Sequence, residues 1–214
     1  MAQRQLSSRR QFLSAGMAAA AAGLLAGPVR ALPQQGLAAA AAGVVNPVLV
    51  ARASAALALH NQLIWSRDVI AIADFGLPSS QPRLHLVDIL ANRTTSLLVA
   101  HGKGSDPDHT GMLQRFSNEV GSEATSEGAY LTGALYTGVH GLSRRLAGLD
   151  PTDDRAEERA IVIHSAWYAD PSFVATQGRL GRSDGCFAVP ERDIAFLLAR
   201  LGEGRLLYAG RAGG

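Results

Sequence analysis

Cysteine is nearly missing from this chain. Of its 214 residues only Cys186 carries a thiol, so no internal disulfide framework and no cysteine-rich metal site can be built. Lys/Arg blocks are also missing, as is any nucleic-acid-reading motif, which argues against nucleic acid as a partner. No internal repeat is present, and length gives no reason to expect more than one well-buried domain. Long apolar runs are absent too. The longest candidate, Ser14 to Ala26, is Ala-rich, short and only mildly hydrophobic, too weak to span a bilayer, so no transmembrane segment is expected in the mature chain. His101 and His109 with Asp106 and Asp108 match no known metal-ligand spacing, so no metal or other cofactor is expected.

What is present at the start reads as an address. Ser8-Arg9-Arg10-Gln11-Phe12-Leu13 precedes the Ala-rich run, and Val29-Arg30-Ala31 follows it as a small-residue cleavage site. This order predicts a twin-arginine signal peptide over 1–31 and export to the periplasm or cell envelope. Four of the 20 basic residues lie in that leader, and none of the 18 acidic ones does. The mature chain is therefore mildly acidic, and the basic pI of the whole sequence owes much to the signal. Residues 32–45 read as an Ala-rich linker, with Leu32 to Gly43 a loose segment or a frayed helix, and the domain proper over 46–214.

Asn46 can cap a helix that opens on Pro47, with Leu49, Ala53, Ala56, Leu57, His60 and Ile64 on one face. The period then switches. Val69–Ala73, Leu84–Ile89 and Ser96–Ala100 read as strands, the last two joined at Ala91-Asn92-Arg93. Gly102 to Gly111 reads as a polar loop, and Asp150 to Asp154 as a solvated acidic loop. Ile161-Val162-Ile163 is a β-branched run delivering His164. Pro190–Asp193 opens a helix buried through Ile194, Leu197, Leu198 and Leu201 and stopped at Gly202, and Arg205–Tyr208 closes the chain as a strand. The fold class predicted is mainly β with flanking helices (α+β), in one domain.

The chemistry concentrates between His164 and Cys186. A thiol is a good nucleophile only as thiolate, and a nearby imidazole can take its proton and hold the charge as an ion pair. Gly178, Gly181 and Gly185 make the approach to Cys186 a sharply turning loop. The bland alternative is an inert buried cysteine and a core histidine. One unpaired cysteine in an exported protein nevertheless calls for a function or deep burial.

His164-Ser165-Ala166-Trp167-Tyr168 with Gly178-Arg179-Leu180-Gly181-Arg182-Ser183-Asp184-Gly185-Cys186 resembles the catalytic domain of murein L,D-transpeptidases, in the divergent branch whose loop reads Gly-Arg-Ser-x-Gly-Cys. Tyr136-Thr137-Gly138-Val139-His140-Gly141-Leu142-Ser143 resembles a second stretch of that branch. Two departures stand out. Asp184 replaces the usual histidine, and Phe187-Ala188-Val189-Pro190 lacks the arginine that usually follows the cysteine.

The resemblance implies a mixed β-sandwich and an exported cysteine acyltransferase acting on peptidoglycan stem peptides without a cofactor. In it Cys186 attacks, His164 moves the proton, and the Ser165 carbonyl orients the imidazole. Backbone N–H groups of Gly185 and Cys186 meet the oxyanion. Arg182 holds a substrate carboxylate or makes a structural ion pair. Ser183 supports the loop or the substrate, and His140 is either a groove wall beside Cys186 or an ordinary loop histidine. D-alanine leaves, and either a second stem peptide or water accepts the acyl group, giving a transpeptidase or an L,D-carboxypeptidase. Carbapenems are the expected covalent inhibitors. A wall-binding domain without turnover and a redox thiol are the competing readings.

Overall fold

The computed structural model describes residues 32–213; the signal peptide expected over 1–31 lies outside them. The elements in order are α1 (Leu32–Ala41), α2 (Pro47–Leu59), β1 (Val69–Asp74), β2 (Leu84–Asp88), β3 (Arg93–Leu97), β4 (Gly128–Gly138), β5 (Gly141–Gly148), β6 (Val162–Ser165), α3 (Pro171–Gln177), β7 (Phe187–Val189), α4 (Glu191–Arg200) and β8 (Leu206–Gly210). The eight strands form one sheet in the order β3-β2-β1-β8-β4-β5-β6-β7. Its two ends almost meet, because Ala100 beyond β3 bridges Ala188 in β7. The result is a mostly β, nearly closed sandwich or barrel, as the sequence predicts.

Core residues explain that curl. One face of β1 and β8 (Val69, Ala71, Ala73, Leu207, Ala209) packs inward against Tyr130, Leu146, Ile163, Phe187 and Val189, with Leu197, Leu198 and Leu201 of α4 and its end covering one side. The other face (Ile70, Ile72, Leu206, Tyr208) is covered by Leu37, Leu49, Ala53 and Leu57 of α1 and α2. β1 is buried at every position, which is why it reads as a continuous apolar run rather than an alternating one. Each such buried Leu or Ile contributes roughly 1.5–3 kcal/mol from removal of apolar surface from water.

Three expectations change. Residues 32–45 are no loose linker: α1 docks through Leu37, Ala40 and Ala41, and Thr94 Oγ1 donates to the Ala40 carbonyl. Alanine is small enough to let this helix lie close to the sheet. The acidic loop is not wholly solvated either, because Asp153 is fully buried. Its Oδ1 accepts the Asp150 N–H (2.8 Å), its Oδ2 has no partner, and burial pushes its carboxyl up to about 8, so it is protonated at neutral pH. The third strand starts earlier than expected, at Arg93, with Asn92 in the left-handed region (φ 48°) making the turn.

Candidate functional site

β6 and β7 run side by side and parallel, with Ile163 opposite Phe187, His164 opposite Ala188 and Ser165 opposite Val189. Ile163, Phe187 and Val189 point into the main core, so alternation sends His164 and Ala188 to the opposite face. Continuing the register one step sets Cys186 opposite Val162, and the Val162 backbone does hydrogen-bond the thiol. Cys186 lies just before β7, and His164 sits in the neighbouring strand β6, opposite Ala188. The short apolar strand thus positions the imidazole, and the segment entering the next one positions the thiol.

His164 is buried (2% exposed). Its Nδ1 donates to the Ser165 carbonyl (2.9 Å); a carbonyl only accepts, so the neutral ring carries its proton on Nδ1 and offers the Nε2 lone pair. Burial foremost lowers its pKa, joined by the His140 ring and opposed by the Ser165 bond and Asp184. Cys186 is half-buried, its Sγ lying 3.6 Å from the Ala160 carbonyl. Burial foremost raises the thiol, helped by Asp184, while the Val162 backbone and the Arg159 guanidinium pull it down. Both main shifts favour the uncharged thiol and imidazole. Neither shift favours a standing thiolate–imidazolium pair.

The loop before the thiol is tied down by hydroxyls. Ser183 Oγ donates to the Cys186 carbonyl (2.7 Å) and accepts from the Gly185 N–H (3.2 Å), so that Gly185 N–H, expected to face the oxyanion, is already engaged. Thr125 Oγ1 donates to the Gly185 carbonyl (3.2 Å) and accepts the Gly102 N–H (2.9 Å). Gly185 has φ 116°, and a Cβ there would meet the Ala124 carbonyl at 2.9 Å; only glycine fits. Arg182 points Nη1 at the carbonyls of Asp106 and Pro107 (3.1 Å to the latter). Asp184 is exposed and pairs with Lys103 Nζ (3.0 Å), which also pairs with Glu123 (2.7 Å).

Behind the loop lies a buried cluster. The Ser183 N–H donates to the His101 carbonyl (2.9 Å). The His101 ring accepts from Arg83 Nη2 at Nδ1 (2.7 Å) and sits 3.4 Å from Asp106 Oδ2 at Nε2. Asp106 also accepts from the N–H groups of Thr110 and Gly111, both at 2.8 Å. Burial lowers Arg83 to about 9 and His101 to about 3. These ligands are internally satisfied, and no cluster able to hold a metal occurs among the described residues.

His140 arrives from the turn of the β4–β5 hairpin, and its ring stacks on His164 (centroids 4.2 Å apart, planes at 22°). The structure thus brings together Cys186, His164, the Ser165 carbonyl, Ser183, Gly185 and His140, and turns Arg182 towards the 106–107 backbone. Arg159 was not singled out by the sequence. It reaches Ser117, Ser126 and the Ala124 carbonyl, and no motif or spacing in its stretch, Arg155 to Arg159, marks it out.

A family described as the L,D-transpeptidase catalytic domain matches residues 42–209. The chain belongs to that family. Among solved structures this L,D-transpeptidase-family chain is similar to an L,D-transpeptidase from Mycobacterium smegmatis (14% identity, TM-score 0.41, covering 67% of this chain and 58% of that one). It is also similar to LD transpeptidase LdtMt1 in complex with imipenem (12% identity, TM-score 0.40, covering 67% and 59%). The chain thus spans less than two thirds of the length of these relatives. Among curated proteins, none matches.

Proposed function

We propose that this domain is an exported cysteine acyltransferase that carries out L,D-transpeptidation on peptidoglycan stem peptides. The observation that carries the reading is the placement of a carbonyl-oriented His164 on the strand beside the one that Cys186 opens. Cys186 Sγ attacks the amide carbonyl of the diamino-acid residue while His164 Nε2 takes the thiol proton. The new S–C bond forms, the C–N bond breaks, and His164 returns a proton to the departing D-alanine amine. The Cys186 N–H meets the oxyanion, and Gly185, held by Ser183, keeps the loop close enough for that contact. Arg182 contributes by fixing the loop edge through the 106–107 carbonyls and faces the substrate carboxylate with its remaining donors. The thioester then passes to an amine of a second stem peptide, or to water as in an L,D-carboxypeptidase. No cofactor takes part. The twin-arginine leader delivers the domain to the cell envelope, where its substrate lies.

The test is intact-mass measurement of the purified mature protein after incubation with imipenem, beside Cys186→Ala. A covalent adduct on the parent and none on the variant is expected. A parent without an adduct, whose thiol also reacts slowly with a simple alkylating agent, overturns the enzyme and leaves a wall-binding domain.

A further inference from the structure

The end of the β4–β5 hairpin is a free-standing ribbon. β8 pairs with β4 only from Gly128 to Leu131, and β6 pairs with β5 only at Arg144 and Arg145. Residues 136–138 and 141–143 pair only with each other. A two-stranded ribbon of this kind has little stability of its own, so where it rests needs a cause. Its base is aimed by Arg144, which donates to the Gly133 carbonyl (2.6 Å) and the Leu198 carbonyl (3.0 Å), and by a register shift between Thr132 and Leu135 that bends β4. Gly141, at φ 74°, lets the turn close. Val139 at the apex is 96% exposed, and the neighbouring His140 is exposed as well, yet the His140 ring lies flat on His164.

We infer that His140 is a positioning residue: its ring holds the imidazole of His164 in the plane that aims Nε2 at Cys186. The inference rests on the acyltransfer reading and deepens it. One hydrogen bond, Nδ1 to the Ser165 carbonyl, fixes a point of the His164 ring but leaves it free to tip about that bond. A second ring stacked on its face removes the tipping and shields that face from water. An aromatic pair supplies roughly 0.5–1.5 kcal/mol of this kind. The stack also sets two imidazoles side by side, so a charge on one disfavours a charge on the other and keeps the base in its proton-accepting form. The other charged or titratable groups around the pair are Asp184 and Cys186 on the loop, Arg159 behind the thiol, Tyr168, which feels both Asp184 and Cys186, and Tyr130, which feels Cys186 and Arg159.

The experiment compares the mature parent with His140→Ala and His140→Phe. The rate of Cys186 alkylation by iodoacetamide is followed against pH, and the His164 ring is titrated by NMR. His140→Ala is expected to slow alkylation at pH 7 about tenfold, the upper end of what one stacked ring supplies. His140→Phe keeps a ring without a charge. It should restore the rate to within about threefold of the parent while moving the His164 midpoint, and the acid limb of the profile, to higher pH. A Phe variant as slow as the Ala variant overturns the inference, because the nitrogen and not the stack is then needed. Two variants indistinguishable from the parent in rate and in midpoint overturn it as well. Failure of the acyltransfer reading looks different: no imipenem adduct forms on the parent, whereas the His164 midpoint is read with no substrate present.

Discussion

Two buried histidines sit on either side of the same loop, and they differ in what their nitrogens do. His101 has both occupied, Nδ1 by Arg83 and Nε2 by Asp106, and its pKa falls to about 3. His164 gives Nδ1 to a backbone carbonyl and makes no hydrogen bond at Nε2 among the described residues. Both are dehydrated, and burial lowers both. Only the second has a lone pair left for chemistry. Burial makes a histidine neutral, but an unoccupied nitrogen is what makes it a base.

Substitutions test this contrast, the largest effect coming first. His164→Ala should slow imipenem acylation of Cys186 by about 10²–10⁴-fold, the usual range for losing a general base, while thermal unfolding changes little by comparison. Asp106→Ala should do the reverse. Removing one member of a buried charged cluster costs about 3–5 kcal/mol, visible as a large drop in Tm, with activity lost only as the fold is lost. Equal effects of both variants on both readouts would dissolve the distinction drawn here.

A third buried titratable group sharpens the point, because Asp153 has one oxygen without a partner. Burial raises its folded pKa to about 8, from about 4 for an ordinary aspartate. Between those values the folded chain holds a proton that the unfolded chain has released, so stability falls as pH rises from about 4 to 8 and levels off above. Asp153→Asn should flatten that dependence and raise Tm at pH 8, read from unfolding curves across pH. The smallest effect belongs to the exposed ion pairs beside the loop. Lys103→Gln should leave Tm unchanged within error, since exposed pairs of this kind contribute little, and its effect on thiol reactivity should vanish in high salt.

Much of this was readable from the sequence, and the exceptions have physical causes. α2 carried its own start signals: Asn46 Oδ1 caps Val48 N and Pro47 opens the helix. β1 and β2 read as apolar strands, and Cys186 and His164 stand out by composition and motif. The β4–β5 hairpin was harder, because eleven residues rich in Gly and Thr around a register shift break the two-residue period. The α1 stretch reads as a loose linker or a frayed helix because alanine marks both loose segments and close-packed helices, and only the Ile89 and Thr94 surfaces opposite decide between them. Asp153 was indistinguishable from its solvated neighbours Asp150 and Asp154, since burial of one acid in a cluster is a property of distant strands. The stack of His140 on His164 likewise depends on a bend, and no spacing along the chain encodes it.

The bridge between Ala100 and Ala188 has a kinetic consequence. It joins parts of the chain far apart in sequence, and contacts of that kind form late because loop closure must come before any gain. β7, three residues long, has almost no local reason to be ordered before then. Cys186 is therefore expected to acquire its surroundings in one of the last steps of folding. Protection of the Cys186 thiol during refolding becomes a clock for the moment when the two ends of the sheet meet.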